Sequence, residues 1–301
     1  MGKISEKIKG SFKTAVRVVR RFNADSSMIT AGALSFYFLM SILPLSLLGL
    51  SVLGYVMGSK RAAVSAVTSL GRIGEIFPEG SVDVESILQA LISGRGIFGG
   101  LGIIFLIWFS ASVFYTVEVA VNKIFRTGKR RGFFHRTVIV YFFMLVAGGM
   151  LILSIAVTFV ATIVSDFSLS LFSINPAEIP LLWNLLFSLV PPMLMMLMFT
   201  IIYRVGPTSK VGWGSAFKGG LAAGILWEIS RRLFGWYISN LALYNKLYGA
   251  LGTLVAIFVW LFYSSSIFLV GAEYAAVLNE RREKKNARAG TDVDNNINFA
   301  E

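Results

Sequence analysis

The 301-residue chain contains no cysteine and a single histidine, His135. Without thiols there are no disulfides, thiolate metal sites or cysteine nucleophiles, and one imidazole makes no histidine cluster for a catalytic metal. Charge is scarce as well. Only 15% of residues are Asp, Glu, Lys or Arg, with 16 acidic residues against 28 basic ones and a net charge of +12. No glycine-rich run leads into Lys-Ser or Lys-Thr at the P-loop spacing, which excludes ATP hydrolysis of that kind within the chain. What the chain has in abundance is apolar surface, with 55% hydrophobic residues and a mean hydropathy of +0.71. That composition belongs to an integral membrane protein rather than to a soluble domain of this length. The Lys and Arg residues lie between and outside the apolar segments, where membrane orientation explains them without any nucleic acid.

Residues 1–24 place Ile4, Ile8, Phe12, Val16, Val19 and Phe22 at helical spacing among Lys3, Lys7, Lys9, Lys13, Arg17, Arg20 and Arg21. This pattern predicts a basic amphipathic helix lying on an anionic membrane surface, with lipid headgroups as its partner. It is too basic over too long a stretch for a signal peptide and is expected to persist in the mature protein. Asp25, Ser26 and Ser27 then offer helix N-caps.

Residues 25–279 form the predicted membrane domain, with spans at about 28–57, 96–125, 137–164, 181–205, 217–241 and 249–278. A mixed segment, 58–95, carries Lys60, Arg61, Arg72 and Arg95 beside Glu75, Glu79, Asp83 and Glu85, and reads as external amphipathic helices. The tail 280–301, charged and then rich in Asn and Asp, is expected to be disordered. Basic residues crowd the N-terminal segment, the 126–136 loop and the tail, while the 165–180 loop has no Lys or Arg. The positive-inside rule therefore puts both termini in the cytoplasm, which demands an even number of spans and so six. The expected fold class is all-α: a polytopic membrane protein of six transmembrane helices with an N-terminal interfacial helix.

The fifth span is the unusual one, because Glu228, Arg231 and Arg232 lie near its centre. Each central charge costs about 2.5–3.5 kcal/mol on insertion, so this span is expected to be enclosed by the others and to form the functional centre. Glu228 can pair along one helix face with Arg231 or Arg232, three and four residues on, leaving one cation for an anionic headgroup or substrate. Alternatively the three charges pair with each other and with Glu118 or Glu273 to lock the bundle, or lie at an interface where arginine stems snorkel. Glu118, four residues before Asn122, and Glu273, after Gly271-Ala272, are expected near the cytoplasmic ends of spans two and six. A proton relay or cation site fits them, as does a buried interhelical hydrogen bond or ion pair.

Pro44 interrupts the first span and Pro191-Pro192 the fourth, marking candidate hinges. Ser41-Ile-Leu-Pro44 and Ser188-Leu-Val-Pro191 share one form, as in an inverted three-plus-three repeat, but Gly99-Gly-Leu-Gly102 and Gly249-Ala-Leu-Gly252 pair span two with span six instead. Gly96 with Gly100 and Gly220 with Gly224 are small-residue pairs that allow close helix approach. Such faces permit a homo-oligomer and equally serve internal packing.

Several of these stretches taken together resemble one family. Ala31-Gly-Ala-Leu-Ser-Phe-Tyr37 leading to Ser41-Ile-Leu-Pro44, Trp108-Phe-Ser110 with Glu118 and Asn122-Lys-Ile-Phe125, Trp227-Glu228 with Arg231-Arg-Leu-Phe-Gly235, and Tyr248-Gly-Ala-Leu-Gly252 leading to Gly271-Ala-Glu273 are similar to the YihY/BrkB family. The resemblance runs from the first span to the last, departing at Phe125, where Trp is frequent. It implies a six-helix protein of the bacterial cytoplasmic membrane. Family members have carried the labels of ribonuclease and of serum-resistance virulence factor, and envelope-lipid export has been suggested. No catalytic residues carry over.

The residues argue against the nuclease. Metal-dependent cleavage needs clustered His, Asp or Glu, and metal-free cleavage needs a poised acid and base. His135 stands in a basic loop, and the acidic set of 75–85 is expected on the opposite side of the membrane from RNA. The sequence thus predicts no enzyme, no cofactor and no metal. Two readings remain: a transporter or flippase of a lipid or other amphiphile, and a non-transporting scaffold of the envelope.

Overall fold

Apolar runs of this length can satisfy their backbone polar groups in a membrane only as helices or closed barrels, and the lack of period-two alternation selects helices. A computed structural model of the protein agrees. It describes residues 2–56, 95–128, 131–171, 180–241 and 245–298. Among the described residues there are seven helices and no strand: α1 Gly2–Ala24, α2 Ser27–Val56, α3 Arg95–Ile124, α4 Phe133–Leu171, α5 Pro180–Val205, α6 Trp213–Leu241 and α7 Asn245–Asn298. The expected external segment 58–95 lies outside the described residues, apart from Arg95. α3, α4 and α7 contain stretches long and apolar enough to cross a membrane, at 100–124, 133–154 and 254–288. α2 and α5 carry shorter apolar stretches, Ser27–Ile42 and Leu189–Val205.

Several boundaries differ from the sequence reading: α4 runs over 133–171 where 137–164 was expected, and α7 starts at 245 rather than 249. α6 begins at Trp213 rather than 217, because the Gly212 carbonyl accepts from the amides of Ser215 and Ala216, 3.0 Å each, and starts the helix early. α7 continues to Asn298, where the tail from 280 was expected to lose order. Its extension opens with good helix formers, Glu280 to Arg288, and is anchored where Glu280 meets Arg21 and Glu283 accepts from Asn279.

The helices end with defined chemistry. α3 closes in a Schellman motif: Thr127 N donates to Asn122 O and Arg126 N to Lys123 O, both 3.1 Å, with Arg126 in the left-handed region at φ 51°. The α1–α2 turn uses the same device, with Ser26 at φ 52° donating to Asn23 O. Lys123 Nζ donates to the Asp25 carbonyl and ties the two turns together.

Tertiary contacts divide the chain into two units, one of residues 1–28, 117–229 and 266–301, the other of 29–116 and 230–265. In the first, α6 packs through small residues. A Cβ on Gly220 would lie 2.1 Å from Thr200 Oγ1 of α5, and one on Gly224 2.1 Å from Met196 Cγ. On the α7 side, a Cβ on Gly219 would lie 2.5 Å from that of Ala275, and one on Gly271 2.5 Å from that of Ala223. The Gly220–Gly224 pair is therefore a packing face of the kind that lets helix backbones approach. Beside it, Phe199, Tyr203 and Phe268 stack with centroids 5.3–6.3 Å apart, and the Tyr203 hydroxyl donates to Phe268 O at 2.6 Å. In the second unit Phe234 of α6 stacks on Trp260 of α7 at 5.0 Å.

Apolar side chains elsewhere point outward, among them Trp108 (70% exposed), Leu145 (76%) and Ile152 (68%). In water this would be an aggregation surface; in a bilayer it is the ordinary outer face of a span. Gly271→Val should lower stability in detergent by about 1–3 kcal/mol through overpacking. Gly148→Ala, with nothing within 4 Å, should be neutral or stabilising by up to about 1 kcal/mol. Thermal unfolding of the purified protein checks both.

Candidate functional site

Unpaired charge is costly inside an apolar bundle, so the buried carboxylates and their partners locate the chemistry. Glu118 and Glu273 are both buried, at 3% and 0% exposure, and both belong to the first unit. Glu118 Oε2 lies 3.0 Å from Arg136 Nε, joining α3 to the first turn of α4. Glu273 Oε2 lies 3.9 Å from Arg21 Nε, joining α7 to α1. Arg21 also places Nη2 2.5 Å from Glu280 Oε1, two turns further along the same face of α7.

Asn122 is the hub of the Glu118 group. Its Nδ2 donates to Glu118 Oε1, and its Oδ1 accepts from Thr127 Oγ1 (3.0 Å), Thr208 N (2.8 Å) and Thr208 Oγ1 (2.9 Å). The 206–212 loop is thereby held at one end. At its other end the buried Asn279 of α7 accepts from Gly212 N at 2.9 Å and donates to Glu283 Oε1 at 2.9 Å. Arg131 secures the start of the loop, donating to the carbonyls of Val205, Gly206 and Pro207 at 2.9–3.1 Å. A cation there complements the C-terminal dipole of α5. Burial depresses the Arg131 guanidinium below its ordinary value, and Glu118 pulls in the opposite direction. An arginine keeps its charge at neutral pH regardless. Arg204, in the last turn of α5, lies over the Trp213 ring at 5.3 Å.

The remaining sequence candidates are placed differently. Glu228 is half-buried, and Arg231 and Arg232 are exposed, with the exposed Ile229, Leu233, Trp236 and Tyr237 around them. The expectation that α6 is enclosed by the other helices therefore does not hold. Its glycines and alanines line one face only, and Phe217, Leu221 and Ile225 on the other stay exposed. The enclosed segment is in α7, where Phe268, Leu269, Gly271, Ala272, Glu273, Ala275, Ala276 and Val277 are buried around the whole circumference. Pro44 is buried, Pro192 half-buried and Pro191 exposed, and α2 and α5 run on as continuous helices through them. Each proline deprives the carbonyl four residues earlier of its helical donor.

Sequence reasoning missed Arg21, Asp25, Arg136 and Asn279 as site residues. Arg21 was counted with the solvated basic face of α1, but Thr14, Val18 and Arg21 make the buried face, while Phe12, Val16 and Val19 are exposed. The spacing of Thr14, Val18 and Arg21 was available, yet mixed chemistry at those positions carries no hydropathy signal. Among the described residues no three His, Asp or Glu side chains come together as a metal site.

Outward apolar faces, small-residue helix contacts and interhelical ion pairs define a helical membrane protein. The chain matches the Virulence factor BrkB family over residues 18–295, and it belongs to that family. It is 28% identical to a UPF0761 membrane protein of Alteromonas mediterranea over 271 residues, 89% of this chain and 88% of the relative. Similar proteins include UPF0761 membrane proteins of Vibrio vulnificus (30% over 266 residues; 88% and 82%) and Vibrio campbellii (30% over 284; 93% and 86%). No solved structure matches the chain.

Removing the Asn122 amide orphans the Thr208 amide and one Glu118 oxygen. Asn122→Ala should cost about 1–3 kcal/mol of stability. Asn122→Asp should cost more, because it sets a second carboxylate against Glu118. Heating curves of the two variants in one detergent decide the order.

Proposed function

We propose that this protein is a six-span protein of the bacterial cytoplasmic membrane, with both termini in the cytoplasm, that moves a lipid or other amphiphile between leaflets. The observation that carries the reading is the pair Arg231 and Arg232, exposed on α6 beside Ile229, Leu233 and Trp236. A cationic pair on an outward apolar helix face matches the two halves of an anionic amphiphile, with the headgroup at the guanidinium groups and the chains along the leucine and aromatic surface. Glu228 sits one turn earlier to balance the charge when no headgroup is present. The prolines of α2 and α5 supply candidate points of bending. α1, with Phe12, Val16 and Val19 exposed among Lys13, Arg17 and Arg20, suits an anionic membrane surface and keeps the protein's basic end at the headgroups.

A second reading is favoured by a different observation. The Glu118–Arg136 and Arg21–Glu273 pairs and the Asn122 and Asn279 hubs tie four helices and the 206–212 loop together. A non-transporting envelope scaffold needs those ties and nothing at Arg231.

The absence of cysteine makes the topology directly testable, since each introduced thiol is the only one in the chain. Cysteines at Lys13 and Lys285 should label with a membrane-impermeant reagent only from the cytoplasmic side, and one at Ser173 only from outside. Labelling of Lys13→Cys from outside would overturn the orientation. For transport, the measurement is lipid movement between leaflets in proteoliposomes. Arg231→Ala and Glu228→Gln, checked for folding by size exclusion, should slow it about tenfold or more, the equivalent of one charge-assisted hydrogen bond. Absence of movement in the wild type, with both variants folded, would leave the scaffold.

A further inference from the structure

Arg21 Nη1, Asp25 Oδ2 and both Glu273 carboxyl oxygens are buried and, as ionised groups, make no hydrogen bond. The Asp25 and Glu273 carboxyls nevertheless lie within hydrogen-bond reach of each other. Ionised carboxylates are acceptors only, so two of them in contact repel and cannot bond. A proton on either one converts that repulsion into an O–H···O hydrogen bond and satisfies two of the orphaned oxygens at once.

We propose that Asp25 and Glu273 form a proton-binding site, one exchangeable proton shared by two carboxyls, with Arg21 as its built-in counter-charge. The groups facing Glu273 are Arg21 and Asp25 from the end of α1, Arg126 from the end of α3, and Glu280 on α7 itself, which holds the other branch of Arg21. Lys123 adds a further cation at the Asp25 carbonyl. These cations select a proton over a metal ion. A metal bound between the carboxyls would sit beside the Arg21 guanidinium, whereas a proton within a hydrogen bond needs no room and little added charge.

The consequence follows from how Arg21 is shared. With the pair protonated, Glu280 is the stronger carboxylate partner of Arg21. When the proton leaves, Glu273 competes for the guanidinium with a full negative charge, and the tie between α1 and α7 tightens at that point. Because Asp25 belongs to the α1–α2 turn and Glu273 to the most enclosed part of α7, proton binding acts where these two elements meet. As a coupling site this rests on the transporter reading; as a proton site it stands alone.

Infrared spectroscopy of the full-length protein in lipid membranes tests it. The wild type should show a protonated-carboxyl C=O band at neutral pH that shifts in D2O and disappears as pH is raised. Glu273→Gln and Asp25→Asn should each lose one carboxyl's worth of that intensity. Should Glu273→Gln fail to fold, the half-exposed Asp25→Asn and the wild-type titration decide. A wild type without the band, or an Asp25→Asn variant that retains it in full, overturns the proposal. Lipid movement measured across a pH gradient separates the two readings. A band lost in the variants with no lipid movement leaves the proton site and removes the transporter; lipid movement without the band does the reverse.

Discussion

A carboxylate with no exposed surface must be given partners, and Glu273 obliges the first unit to supply them from elements far away in sequence. Arg21 comes from α1, so that helix cannot lie wholly free on a membrane surface. Its Thr14–Val18–Arg21 face is committed to the protein, and its Phe12–Val16–Val19 stripe is left outside. Asp25 comes from the turn that follows, held by Lys123 from α3. The same α3 end carries Asn122, which fixes the loop leading into α6, and α7 returns to that loop through Asn279. Burial of one acidic side chain is thus linked, through side chains that each serve two partners, to the placement of α1, α3, α6 and α7.

Close approach of the backbones makes that burial available. With Gly219 and Ala223 on α6 and Gly271 and Ala275 on α7, neither helix has bulk between its axis and the other's. In a membrane, where there is no hydrophobic force to press helices together, packing of this kind and interhelical polar contacts are the sources of association. Glu273 follows Gly271 by two residues, so the position of closest approach and the position of buried charge lie within one turn of α7. A side chain at Gly271 would meet both Ala223 and the Tyr203 hydroxyl, and would separate the surfaces that exclude water from Glu273.

That the chain is helical, with helices apolar enough to cross a membrane, was legible in the sequence because the signal is additive: twenty or more apolar residues outweigh any single exception. The start of α6 and the end of α7 were not, because Gly212 capping and the Arg21–Glu280 and Asn279–Glu283 contacts depend on what lies alongside. The site was legible in half. Glu118, Asn122 and Glu273 stood out as polar residues within apolar runs. Arg21, Arg136 and Asn279 did not, because each lies in a polar stretch, where being polar carries no information.

α6 shows the limit most clearly. Its sequence announces charge at Glu228, Arg231 and Arg232, and the cost of such charge in hydrocarbon pointed to an enclosed helix. Enclosure, however, depends on which faces are small enough to be covered, and α6 has one such face where α7 between 268 and 279 has them all round. Composition and hydropathy by themselves determined that this is a helical membrane protein without thiol chemistry, since those properties are sums over the chain. Which charges are buried, which cation answers which carboxylate, and which helix lies at the centre were decided only by tertiary structure, because each depends on a pair of residues up to 259 positions apart meeting across a helix interface.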